Sequence, residues 1–412
     1  MKRSTLTVIG WLVGAGTLLI GARLPVAASD SYGRSNPVPS ASARSWLSES
    51  GPWGTMRVSR LRLAPPDPLL AKINFKPESE WAFQGKSWVE IDAFLARAEL
   101  TPDQLVPLLQ EENRRQSEDG KTRLIKVSDQ FRLNLSSESR RIIYDELASF
   151  EPNLTQALPF AVPTPEALVR ASLRPVVVDT LRRLTFYRGT HACLVDADLI
   201  ATLISDPMEL MRFKRVMFSY PSLAVELTRS SLERRAEVNA YWVKPGGKPA
   251  SGLLRAFDRS PELETIDLIH LLPPLPRKLL HTFPDGGFAP LQANCFWLSL
   301  NFFNPTPDRR YLPGSEDFGQ AAAEAMQTLQ RDYEPAQPPF RFGDVLALIS
   351  ENRDSHELVH MVVYIADNIV LTKNGRTPNS PFVLMTFADI EQTYPWPIPL
   401  NVHGYRLRSV AP

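Results

Sequence analysis

Cysteine is nearly absent from this chain, with Cys193 and Cys295 the only two among 412 residues. That scarcity excludes a disulfide-built scaffold and leaves at most one bridge. A surplus of one charge is lacking too. Because 46 Lys and Arg face 45 Asp and Glu, no global field draws the chain to nucleic acid or to an anionic membrane. Beyond residue 22 no apolar run approaches the roughly 20 residues that cross a bilayer. There is no internal repeat and no phosphate-binding glycine motif. Gly246-Gly247 stands among Lys and Pro residues without a strand before it or a helix after it, and reads as a turn. No cofactor is expected.

Proline, by contrast, is plentiful: 37 residues is nearly twice the usual share of about 5%, which predicts many stiff, irregular connections. At the N-terminus Met1-Lys2-Arg3 precede an apolar run from Leu6 to Ala22 and the small-residue stretch Leu24 to Ser29. These are the charged, apolar and cleavage regions of a secretory signal, with Ala28 as the last residue removed. The expectation is an exported protein, periplasmic or extracellular. Left uncleaved, the same run would anchor it in the inner membrane, the one membrane association the sequence allows.

Composition divides the chain further. Residues 1–28 are the signal segment, and 29–59, rich in Ser, Pro, Gly and Arg, read as a disordered linker. Residues 60–160 predict a helical domain. Ile91, Phe94, Leu95 and Ala98 recur at helical spacing, Thr101-Pro102-Asp103-Gln104 reads as a cap, and a second helix starts at Ser136-Ser137. Residues 161–270 are mixed and mostly helical. Residues 271–412 open with the apolar helix Asn294 to Phe303 and continue with strands at Asp344–Ser350, Val359–Ala366, Ile369–Lys373, Pro381–Met385 and Gly404–Arg408. A helix followed by consecutive strands indicates α+β with an antiparallel sheet.

Two residues of this last region suggest chemistry. Cys295 follows an Asn that caps the apolar helix, and a thiol in a first helical turn feels the positive end of the dipole, which favours the thiolate. His360 opens a strand on which Val362, Tyr364 and Ala366 share its face. A Cys-His pair is the simplest nucleophile and base. Gln292, three residues before the cysteine, is a candidate oxyanion donor beside the Cys295 N–H, or else a solvated loop residue.

Together these pieces resemble the NlpC-type, papain-like cell-wall cysteine peptidases and amidases: Cys295 at the head of a buried helix, Phe342-Gly343-Asp344-Val345-Leu346, then His360 before Val362-Val363-Tyr364-Ile365. The resemblance covers about Leu271 to Thr393. It implies a papain-like α+β domain and cleavage of a peptide or amide substrate, peptidoglycan among them, with Cys295 as nucleophile and His360 as base. The family's third polar residue, often His, matches Thr372, with Asn374 two positions on. A tight turn at Asp367-Asn368 would instead put Lys373 on the His360 face, and one residue of register decides between them. The family's Asp-Cys-Ser-Gly is here Asn294-Cys295-Phe296-Trp297.

Three other readings compete. The two cysteines can form a disulfide, which would occupy the nucleophile. The domain can keep the fold and act as a catalytically inactive binding or structural module of the cell envelope. Finally, His356-Glu357-Leu358-Val359-His360 matches the zinc pattern His-Glu-x-x-His, which needs a helix; on a strand, at roughly 3.3 Å per residue, the two rings stand about 13 Å apart.

Overall fold

Short elements joined at proline and glycine build the chain. A computed structural model describes residues 45–408, apart from 76, 78, 151, 158, 190, 247, 286–288, 305, 307–317, 353–354 and 394–399. The expected signal segment lies outside the described residues.

Chain tracing begins with β1 (Ser45–Leu47) and β2 (Met56–Leu63), which pair across a turn where Gly51 and Gly54 bridge each other. These strands occupy part of the stretch expected as linker. Serine-rich composition concealed them, because Met56 and Val58 find their apolar partners on a strand more than 160 residues later.

A helical layer follows, comprising β3 (Glu80–Gln84), α1 (Trp88–Leu95), α2 (Pro102–Leu109), β4 (Arg114–Gln116), β5 (Thr122–Lys126), α3 (Asp129–Asn134) and α4 (Ser137–Leu147). Its helix starts are written locally. Ser87 with Glu90 and Thr101 with Gln104 form reciprocal capping boxes, and Ser136 caps α4. Trp81, Phe83, Ile91, Leu95, Ile143 and Tyr144 fill its core. Next come β6 (Phe160–Ala161), α5 (Pro165–Arg170), α6 (Pro175–Leu184), β7 (Phe186–Arg188), β8 (His191–Leu194), α7 (Ala197–Thr202) and α8 (Pro207–Met217). A buried ionic cluster ties this segment to the helical layer. Arg132 donates to Asp196 and Asp198, while Arg140 and the Tyr144 hydroxyl both donate to Asp196, which has no exposure.

The chain then returns to the first strands. β9 (Tyr220–Thr228) pairs antiparallel with β2 along its whole length, α9 (Arg235–Gly246) and α10 (Lys248–Arg259) follow, and β10 (Thr265–Asp267) completes a sheet of order β1-β2-β9-β10. Gly246, expected in a turn, closes α9.

In the last third, α11 (Cys295–Leu300) and α12 (Phe318–Asp332) precede β11 (Tyr333–Ala336), β12 (Val345–Asn352), β13 (Ser355–Ala366), β14 (Ile369–Lys373), β15 (Phe382–Thr386), α13 (Phe387–Thr393) and β16 (Leu400–Leu407). The strands form an antiparallel sheet of order β11-β16-β12-β13-β14-β15. The fold is therefore α+β. Asp344 anchors the start of β12, taking two hydrogen bonds from Arg406 of β16 (2.8 and 2.6 Å) and one from the Arg341 N–H. The preceding Gly343 has φ +86°, and a Cβ there would lie 2.0 Å from the Phe303 ring. Glycine is required on both counts.

Residues 44–412 form one compact unit. One core holds Met56, Val58, Leu223 and Trp242 together with Trp297, Val363 and Phe382. The seam between the two larger sheets is closed by side chains: the Ser222 hydroxyl accepts from the Leu384 N–H and donates to the Leu384 carbonyl.

Candidate functional site

Alternation along β13 determines what meets what. Met361, Val363 and Ile365 point toward α11, whereas His360, Val362 and Tyr364 point to the opposite layer. Cys295 packs on the first face, among Val345, Ala347, Ile349 and Met361. His360, paired with Leu348, lies on the second. The sheet stands between thiol and imidazole, so the expected Cys295–His360 pair is not formed. The sequence showed a cysteine-bearing helix and a histidine-bearing strand, but not the face on which the helix docks.

On its own face His360 does meet an expected residue. Its Nε2 is 2.8 Å from the Thr372 hydroxyl, which in turn donates to the Met361 carbonyl at 3.4 Å, so the ring N–H is the donor to Thr372. Thr372 rather than Lys373 occupies this position because β13 carries a bulge between Tyr364 and Ala366. That one extra residue shifts the faces. Asn374 is buried and donates to the Met385 sulfur at 3.1 Å. All three side chains are buried, and burial pushes the His360 ring down to about 3. It is held neutral.

The thiol shows the reverse of what its helix position suggested. Burial pushes Cys295 up to about 11, outweighing the Met361 and Phe296 N–H groups and the Lys373 ammonium, all of which favour the thiolate. Cys295 is only 5% exposed, and α11 is a mere six residues long. Desolvation of a charge exceeds what a short helix end returns. Gln292 is exposed in the turn before α11, while the sulfur is buried within the fold.

Neither cysteine is bridged. Cys193 is buried in the helical layer, its thiol directed at the His191 carbonyl at 3.6 Å, whereas Cys295 belongs to a different core. The disulfide is absent. The zinc pattern falls on β13, with a bulge at Val359 between Leu358 and His360, and its Glu357 is exposed. The helical turn that would gather its ligands is not there, and among the described residues no group of three metal-binding side chains occurs.

Lys373 was not expected on the thiol side. Val363 opposite Leu371 sets Lys373 beside Met361, on the Cys295 face. It is fully buried, with Nζ donating to the Gly375 and Thr377 carbonyls at 2.8 and 3.0 Å, and burial lowers it to about 7. The signal lay in the hairpin register, which one bulge controls. Among the described residues, no helix is long and apolar enough to cross a membrane. Comparison with family models, with curated proteins and with solved structures gives no match.

Proposed function

We propose that residues 271–412 are an NlpC-like frame that works without turnover, as a binding or structural module of the cell envelope. One observation carries this reading: the thiol and the imidazole lie on opposite faces of the β12–β13–β14 sheet. Acyl transfer by a Cys-His pair needs the base within hydrogen-bond reach of the sulfur. Here His360 is engaged with Thr372 and kept neutral, and Cys295 is kept as a thiol. A fold can persist after its chemistry is lost. The envelope location rests on the charged and apolar N-terminal segment, and peptidoglycan as the ligand rests on the resemblance.

The test is cosedimentation of the purified protein with peptidoglycan sacculi, paired with chromatography of any released fragments. Cosedimentation without fragments, the same for native protein and Cys295→Ala, is the expected result. Fragments that disappear in Cys295→Ala would restore the hydrolase reading, and failure to cosediment would remove peptidoglycan as the ligand.

A further inference from the structure

Helices α9 and α10 pack on each other and leave between them a cavity of about 40 Å³, lined by Arg235, Val238 and Asn239 from α9 and by Leu254, Arg255 and Asp258 from α10. Spacing of three and four residues brings each set to one face of its helix. Val238 and Leu254 belong to the shared core and supply the apolar part of the lining. The other four side chains are polar. Arg235 is neutralised by Asp258, whose Oδ1 lies 2.7 Å from its Nη2. Arg255 is different: its Nη1 donates to the Ser251 hydroxyl at 2.7 Å, and among the described residues no carboxylate pairs with it. The half-buried Asn239 amide makes no hydrogen bond among the described residues.

We propose that this cavity binds a small aliphatic carboxylate, free or at the C-terminal end of a peptide, with Arg255 and Asn239 donating to its oxygens and its first carbon resting on Val238 and Leu254. Charge and size both favour this ligand. Two guanidinium groups against one carboxylate leave the lining with a surplus positive charge, and the planar guanidinium matches a planar carboxylate. Since roughly 10–15 Å³ admits one water, about 40 Å³ takes about three or four heavy atoms. A carboxylate with its α-carbon fits that space, whereas a phosphate group is larger.

Asp258 shares the lining, and its pairing with Arg235 keeps an incoming carboxylate from meeting an uncompensated anion there. Both helices precede residue 271, so the site stands apart from the binding-module reading of residues 271–412.

The experiment is saturation-transfer NMR on the purified protein, with acetate, alanyl-alanine and alanyl-alanine amide as probes and inorganic phosphate as competitor. Acetate and the dipeptide should give saturable signals, and the amide none. Arg255→Gln should weaken binding about tenfold by removing a charge-assisted contact, and Asn239→Ala should weaken it less. Arg255 is exposed, so its replacement leaves the core intact. Arg259→Gln, at the exposed last position of α10 and outside the lining, should bind as the native protein does. Acetate bound without the dipeptide assigns the site to free acids, and the dipeptide bound more tightly assigns it to peptide ends; either supports a carboxylate site. No saturable signal, an amide that binds as well as the acid, phosphate that competes more tightly than acetate, or an equal loss in Arg259→Gln each overturns the proposal.

Discussion

Nε2 of His360 lies 2.8 Å from the Thr372 hydroxyl, in a layer where the ring is 1% exposed and the threonine has no exposure. Such a ring is stable only as the neutral form. Its folded pKa, about 3, is below its unfolded value of 6.5, so between those values the unfolded chain binds the extra proton. The stabilisation is complete above pH 6.5 and is lost as pH falls toward 3. At about 1.4 kcal/mol per unit the effect is on the order of a few kcal/mol. His281, also lowered by burial, adds with the same sign. Urea midpoints at pH 7 and pH 4 should fall much less in His360→Gln than in the native protein; an equal fall in both would show that His360 is not the responsible group.

Gly343→Ala should be among the costlier single-methyl changes. It forces a side chain into φ +86° and sets a Cβ 2.0 Å from the Phe303 ring. Strain and overpacking together cost about 2–5 kcal/mol. Adding Phe303→Ala removes the clash but not the strain, so the double variant should show a favourable coupling in denaturant melts, and strict additivity would count against the contact.

Asp196 accepts from Arg140, Arg132 and Tyr144 without access to water. Removing its charge in Asp196→Asn leaves two buried guanidinium groups undercompensated, a loss of roughly 3–5 kcal/mol. Thermal unfolding within a degree or two of the native protein would mean that the cluster relaxes or admits water.

A fragment of residues 271–412 should fail to fold alone, because its sheet is covered by Met56, Val58, Leu223 and Trp242 from outside it. Residues 45–412 should fold. Dispersed amide resonances from the shorter piece would contradict a shared core.

Much of the local structure was legible because its causes are local. Thr101–Gln104 and Ser136 mark their helix starts, and the alternation of His360, Val362 and Tyr364 follows from the pleat alone. The pairing of β2 with β9 was not legible, since nothing within a short window specifies a partner more than 160 residues away.

His360 and Cys295 show the same division. By itself the sequence determined that a thiol would head a buried helix and that an imidazole would lie on a core strand, although the strand starts at Ser355 and not at His360. Only the tertiary structure decided that the two would face apart and that Lys373 would share the thiol's side. A strand's two faces are equivalent until a helix docks on one of them, and a single bulged residue between Tyr364 and Ala366 exchanges the faces of everything that follows.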